Sequence, residues 1–166
     1  MQSLIKTTVV IAILFFNCIH ASAQNGPQTV RNEDLKLQFI VPAEWSVSSK
    51  EGGYLLAPSD TEGFVLVNMM DVKSQKDLRT AMENGLEQAD GSKLMPLGDL
   101  NDLGSLGVAG VYEGKLDDAD MRGFLMALMP PSGGRAVIAI IIAPTQNFNQ
   151  SNMDKLKGIV RSVVFL

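Results

Sequence analysis

The most constraining feature of this sequence is an aliphatic run near its C-terminus, AVIAIIIA at residues 136–143, which follows Gly133 and Gly134 and ends at Pro144. Valine and isoleucine favour extended backbone, and a run of this length suits a strand, whereas a membrane-spanning helix needs about 20 residues. Successive side chains of a strand point to opposite faces, and both alternating sets are apolar here. The run therefore predicts a central strand with a layer packed on each face.

The first 23 residues have the pattern of a secretory signal peptide. Lys6 supplies a positive charge, residues 7–16 form an apolar segment, and Ala21 and Ala23 supply the small-x-small cleavage pattern. Even counted to residue 19, the apolar segment is shorter than the roughly 20 residues of a membrane span. We predict cleavage after Ala23, a periplasmic or secreted location and no stable membrane span in the mature chain. An uncleaved anchor is the less favoured alternative.

Removal of this segment would limit the chemistry of the mature chain. Cys18 and His20, the only cysteine and histidine, both lie in it. Cysteine and serine nucleophiles paired with histidine are then excluded, and zinc sites, which usually use these residues, are disfavoured. We therefore predict no catalytic residues, no metal and no cofactor.

The charge of the mature chain disfavours two classes of partner. Without Lys6, 13 of the 14 basic side chains remain against 18 acidic ones, a net charge of −5. Nucleic acids and anionic membrane surfaces call for basic patches. We expect neither as a partner.

The order of hydrophobic patterns predicts one α+β domain over residues 35–166, after a loose polar lead-in at residues 24–34. Strands are predicted at residues 35–41, 45–48, 54–56, 64–72, 94–100, 108–115, 121–129 and 136–143, helices at 74–89 and about 149–161, and a buried tail or edge strand at 163–166. Ser74 is a suitable N-cap for the first helix and Gly91 a suitable C-terminal stop. Two amphipathic helices can cover both faces of a sheet. We predict an α/β/α sandwich with a central, mainly antiparallel sheet of about six to eight strands and two main helices.

The segment FIVPAEW at residues 39–45, with this order of elements and the Ser162-x-x-Phe165 tail, resembles the PsbP-like fold group. These proteins have a Pro-x-x-Trp corner after their first strand, here Pro42 to Trp45. Glu44 replaces the glycine that often precedes the tryptophan. The resemblance covers residues 35–166.

The PsbP-like group includes extrinsic photosystem II subunits, a nuclear-import factor that binds the GTPase Ran, mycobacterial lipoproteins and bacterial envelope proteins. The resemblance implies an α/β/α sandwich with an antiparallel sheet. It also implies a non-enzymatic binding or accessory role. It transfers no binding residues to this chain, because members of the group use different surfaces.

Acidic side chains provide two further candidate sites. Glu83 and Glu87 lie four residues apart on the predicted first helix, a spacing more typical of a solvated face than of a catalytic pair. The loop DDAD at residues 117–120 offers oxygen ligands for Ca²⁺ but lacks the spacing of a dedicated calcium loop. We favour a plain acidic hairpin there.

The candidate binding residues are apolar or aromatic. Methionines are numerous and suit core filling, with an adaptable apolar binding surface as the second interpretation and Cu(I) ligation as the least favoured. Trp45, the only tryptophan, suits either closure of the core or stacking on a ligand. We select Trp45, Tyr54, Met69 and Met126 as candidate ligand-binding or partner-binding residues.

We therefore predict an exported, non-enzymatic binding or accessory protein of the bacterial cell envelope, with an unknown protein partner. One alternative is a carrier that holds a small apolar molecule between sheet and helix, near Trp45 and the methionines. Another is a carboxylate-dependent hydrolase, which requires two acidic side chains facing each other roughly 5 to 9.5 Å apart.

Overall fold

The computed structural model describes residues 26–50, 52–60, 62–87, 91–131 and 133–166. The predicted signal peptide, its cleavage site, Cys18 and His20 lie outside the described residues, as does Ala89 at the end of the first predicted helix.

The elements within the described ranges are strands and two α-helices joined by short turns. In chain order they are β1 (Gln28–Asn32), β2 (Leu37–Val41), β3 (Trp45–Lys50), β4 (Gly53–Pro58), β5 (Phe64–Met70), α1 (Gln75–Glu83), β6 (Leu86–Glu87), β7 (Lys93–Pro96), β8 (Asn101–Asp102), β9 (Gly107–Leu116), β10 (Ala119–Leu128), β11 (Ala136–Pro144), α2 (Gln150–Arg161) and β12 (Val164–Phe165). Neither helix is long and apolar enough to cross a bilayer, nor is any other helix among the described residues.

The main sheet is antiparallel and has β11 near its centre. Its strand order is β3-β4-β5-β11-β10-β9-β7-β6, and β8 also pairs with β9. Residues 136–143 are buried throughout. Ile138, Ile140 and Ile142 join the apolar cluster on one face of the sheet, while Val137, Ala139 and Ile141 join the cluster on the other. The prediction of a central strand covered on both faces is confirmed.

A helix covers each face of the main sheet. On one face, α1 buries Leu78 and Met82, and the Tyr112 hydroxyl of β9 donates a hydrogen bond to the Met82 carbonyl at 2.7 Å. On the other face, α2 buries an apolar stripe of Met153, Leu156, Ile159 and Val160. We call these the α1 face and the α2 face. The predicted α+β sandwich with two main helices is confirmed.

A second, smaller sheet lies with α2 and has the strand order β1-β2-β12. Its first strand, β1, falls in the segment that we expected to be a loose lead-in. Gln28 to Asn32 of this segment pair with Val41 to Leu37 of β2. The chain leaves this sheet through the Pro-x-x-Trp corner, where the Trp45 amide donates to the Pro42 carbonyl at 3.1 Å. This corner redirects the chain from β2 into β3 of the main sheet.

The first helix is shorter than predicted. It begins after the expected cap, Ser74, but ends at Glu83, and Gly85 rather than Gly91 supplies the left-handed residue that follows it, with φ of +76°. Leu86 continues the helical spacing of apolar residues, yet it pairs with Leu94 as part of β6. Strand pairing at the sheet edge therefore overrides the helical pattern.

The segment at residues 93–107 also differs from the single strand predicted at 94–100. It forms β7, β8 and a 3₁₀ turn at Gly104–Leu106, and both strands pair with β9. Gly98 lies between them with φ of +92°, a left-handed conformation that interrupts the extended backbone.

Candidate functional site

The α2 face is unevenly covered, and its uncovered part is the candidate site. Helix α2 packs on β2, β5 and β11, where the main-sheet side chains are buried. Across β10, β9 and β7 the same face carries apolar side chains that are half-buried or exposed. We call this surface the apolar shelf, and its members are Met95, Leu97, Val111, Phe124 and Met126.

Strand register aligns Leu97, Val111 and Phe124 in one row, while Met95 lies in the next row, opposite Glu113. Phe124 pairs with Ile141 of β11 on one side and with Val111 of β9 on the other. The Leu97 amide donates to the Val111 carbonyl at 2.7 Å, so the same row extends to Leu97. Leu97 is 46% exposed and Met95, two residues earlier in β7, is 43% exposed.

A half-open cavity of about 150 Å³ lies where the shelf meets the start of α2. Its lining comes from β9, β10, α2 and the residues just before α2, namely Val111, Phe124, Phe148, Asn149, Gln150, Met153 and Lys157. Asn149 caps α2 by accepting a hydrogen bond from the Asn152 amide at 3.1 Å. Met153 is buried, while Phe124 and Phe148 are half-buried. The cavity therefore has an apolar floor and a polar mouth.

Lys157 places a positive charge at this cavity. Its Nζ lies 5.8 Å from the centroid of the Phe124 ring, a distance at which an ammonium group is attracted to an aromatic face. Lys157 has no acidic partner within the described part of the chain. The nearest acidic residue before Lys157 on α2 is Asp154, and its carboxylate instead accepts a hydrogen bond from the Gln150 side chain at 2.6 Å.

A cross-strand ion pair lies next to Phe124, in the same cross-strand row as Met95. Arg122 and Glu113 face each other across β10 and β9, with their nearest nitrogen and oxygen atoms 3.4 Å apart. The Arg122 Nε atom is buried and has no hydrogen-bond acceptor among the residues that the structure describes. Such an unmet donor typically costs about 1–3 kcal/mol.

The four candidate binding residues from the sequence share the α2 face but not one site. All four are half-buried against its apolar cluster. Met126 lies on the shelf, and Met69 is separated from β10 by β11. Trp45 lies on β3 at the far edge of the sheet.

Tyr54 is already engaged with the small sheet. Its ring stands edge-on to Phe39, with ring centroids 5.5 Å apart, and its hydroxyl accepts a hydrogen bond from Asn32 Nδ2 at 2.7 Å. These contacts give Tyr54 a structural role in joining the two sheets.

Most of the residues that form the shelf and cavity were not predicted from the sequence. Met95, Leu97, Phe124, Phe148 and Lys157 were not candidates. The pair Met95 and Leu97, which flanks Pro96, was a usable signal, because proline is found in strands where its position needs no ladder hydrogen bond, and β6 pairs only with Lys93 and Leu94 of β7. No local pattern marked Phe124, since both faces of β10 are apolar.

The acidic candidates occupy exposed surface. Glu83 pairs with Arg79 at 3.1 Å and Glu87 with Lys93 at 3.3 Å, so the two carboxylates have different cationic partners. Asp117 and Asp118 form the two-residue turn between β9 and β10 with φ of +49° and +64°, values typical of a type I′ hairpin. Within the described ranges no group of three histidine, cysteine or acidic side chains is arranged to hold a metal ion.

No protein-family model matches this chain, and no curated protein matches it by sequence. Solved structures do match. The Saccharomyces cerevisiae Ran-binding protein Mog1p matches with a TM-score of 0.55 and 12% identity, over 84% of this chain and 95% of that protein. Cyanobacterial PsbP from Synechocystis sp. PCC 6803 matches with a TM-score of 0.55 and 9% identity, over 93% of this chain and 99% of that protein.

A Bacteroides thetaiotaomicron protein matches with a TM-score of 0.49 and 12% identity over 79% of this chain, which spans only 45% of that protein. At these identities the matches are informative about the fold alone. The matches to Mog1p and cyanobacterial PsbP confirm the PsbP-like resemblance at the level of fold.

Proposed function

We propose that this chain, which has the PsbP-like fold, is a non-enzymatic binding or accessory protein that holds a protein partner on its apolar shelf. The observation that supports this proposal is the exposure of Met95 and Leu97 beside half-buried Phe124 and Met126, on a sheet face that is covered elsewhere. A contiguous exposed apolar surface on a soluble chain commonly marks an interaction site. Of the four residues selected from the sequence, Met126 is the one we propose to contact the partner.

The size of the cavity favours a protein partner over a small-molecule cargo. Its volume is about 150 Å³, comparable to an apolar cavity that accepts one benzene ring. Sites that enclose a drug-sized ligand are larger, roughly 300 to 1,000 Å³. A single side chain projecting from a partner matches the smaller volume, so this pocket suits a partner side chain better than a drug-sized cargo.

Two further considerations support this function. Mog1p, which shares the fold, is a Ran-binding protein, so the fold serves protein binding in another chain. Residues 1–23 have the composition of a signal peptide, which supports our proposal that the chain works in the periplasm or outside the cell.

The test is partner capture by chemical cross-linking in cells that express the full chain at its native level. Leu97→Gln removes an apolar side chain from the shelf. Ile40→Gln is the matched control, because Ile40 is 51% exposed and lies on the small sheet, away from the shelf. We expect the Leu97 variant to lose cross-linked partners that the wild type and the control retain.

Equal capture by all three forms of the protein would overturn the proposal. Both substitutions replace an exposed side chain with glutamine, and each should change the free energy of unfolding by about 0.5 kcal/mol or less. Thermal melts of the two variants verify that any difference in capture does not reflect unfolding.

A further inference from the structure

The cavity beside α2 combines a ring-sized apolar space with a positive charge at its rim. We propose that the partner inserts an aromatic side chain into this cavity and places an acidic residue within two positions of it, next to Lys157. This inference rests on the proposed function, because it specifies the chemistry of the partner that the shelf would hold.

The lining of the cavity favours an aromatic side chain. Phe124 and Phe148 contribute rings, and Val111 and Met153 complete the apolar lining. Aromatic rings gain from edge-to-face and offset contacts with one another, and a thioether contacts a ring edge favourably. A space of about 150 Å³ accommodates one such ring.

The charge around the cavity favours an acidic neighbour. Lys157 lines the cavity and has no acidic partner among the residues described. The N-terminal end of the α2 helix dipole adds partial positive charge, and the first turn of α2 contains no acidic residue to offset this charge. Asp154 is on the same helix but does not line the cavity, and its carboxylate is occupied by Gln150.

Distance limits where the acidic residue can be. Lys157 Nζ lies 5.8 Å from the centre of the Phe124 ring, so a ring inserted beside Phe124 would have the ammonium group close by. An extended backbone advances about 3.3 Å per residue, and side chains two residues apart share a face. An acid one or two positions from the aromatic residue can therefore reach Lys157.

Three ten-residue peptides in one Gly/Ser background test the inference by NMR titration of the isotopically labelled full chain. The first contains Phe two residues before Asp, the second has Lys in place of Asp, and the third has Ala in place of Phe. We expect the Phe–Asp peptide to bind about threefold more tightly than the Phe–Lys peptide, as for one exposed charge pair. The Ala–Asp peptide should not bind measurably. Shifts should concentrate at Val111, Phe124 and Phe148.

Charge reversal provides the matched variants. Lys157→Glu should reverse the preference, so that the Phe–Lys peptide binds more tightly than the Phe–Asp peptide. Lys76→Glu makes the same charge change at an exposed position on α1 and should leave the preference unchanged. Melting curves verify that both variants fold.

The outcomes separate this inference from the proposed function. Equal binding of the Phe–Asp and Phe–Lys peptides, or binding of neither, overturns the inference even if Leu97→Gln abolishes partner capture. A wild-type chain that sediments as a dimer, with Leu97→Gln monomeric, also overturns it, because a second copy would then occupy the shelf. The proposed function itself fails only if Leu97→Gln and Ile40→Gln capture partners equally.

Discussion

At the scale of single residues, the α1 face depends on a buried polar group. Tyr112 is the largest fully buried side chain among the described residues, and its hydroxyl donates to the Met82 carbonyl. Burial raises the pKa of the Tyr112 hydroxyl above its usual value, and the negative charge of Glu83 raises it further. The folded chain therefore keeps this proton at a pH where the unfolded chain releases it.

We expect the free energy of unfolding to fall as the pH rises above about 10, the usual pKa of an unfolded tyrosine. The stabilising contribution of the protonated Tyr112 hydroxyl is complete below that pH. As the pH rises from there toward the raised pKa of the folded state, this contribution falls by about 1.4 kcal/mol per pH unit. The Tyr112→Phe variant lacks this pH-dependent contribution to the free energy of unfolding. Urea unfolding of both proteins between pH 8 and 11 should show the wild type losing its advantage, and a constant difference would contradict the assignment.

The methionines should differ in their reactivity with peroxide. Met95 is 43% exposed, whereas Met70 and Met82 are fully buried. Because oxidation of a thioether requires access of the oxidant, we expect Met95 to become sulfoxide several times faster than the other two. Peptide mapping by mass spectrometry after dilute hydrogen peroxide measures the rates. In urea the three rates should converge, and equal rates in the folded chain would disprove the exposure of the shelf at Met95.

At the scale of elements, local patterns predicted some boundaries and missed others for identifiable reasons. Helix α2 has both a capping residue, Asn149, and a regular apolar stripe, so the sequence placed it correctly. Residues 136–143 specified a central strand by their aliphatic character alone. The predicted end of α1 was wrong because Leu86 continues the apolar stripe of Leu78 and Met82. Only the pairing of Leu86 with β7, which is a tertiary contact, places this residue in a strand.

Gly85→Ala should destabilise the protein more than Gly91→Ala. Both glycines have left-handed φ values, so each substitution costs about 1–2 kcal/mol in backbone strain. A Cβ at Gly85 would lie 2.6 Å from both the Leu94 carbonyl oxygen and Met95 Sδ, whereas a Cβ at Gly91 has no described heavy atom within 4 Å. We expect an additional loss of about 1–3 kcal/mol at Gly85 in urea unfolding. Equal losses would show that the backbone at Gly85 does not lie this close to β7.

At the scale of the whole molecule, the layered architecture could be predicted and the candidate site could not. Both alternating sets of side chains along β10 are largely apolar, so the sequence of this strand is compatible with burial of both faces. Phe124 and Met126 remain partly exposed because α2 packs mainly over β5 and β11, which leaves the part of that face at β10 and β9 less covered. This placement depends on contacts between segments far apart in sequence, such as the pairing of β12 with β2.

The small sheet should unfold together with the main sheet, because the two share one apolar cluster through Tyr54. Its ring contacts Phe39 of β2 and its hydroxyl is bonded to Asn32 of β1, so Tyr54→Ala removes both links. We expect this variant to lower the free energy of unfolding by about 3–5 kcal/mol, and Tyr54→Phe by about 1 kcal/mol. Ile40→Gln, on the outer face of the small sheet, should have little effect.

Native-state hydrogen exchange distinguishes shared from separate unfolding. If the sheets form one cooperative unit, Tyr54→Ala should lower the protection of the Phe39 amide in β2 and of the Ile140 amide in β11 by the same free energy. Loss of protection at Phe39 with Ile140 unchanged would mean that the small sheet opens alone. The α2 face could then be uncovered beyond the apolar shelf, and the partner surface would extend toward Met69.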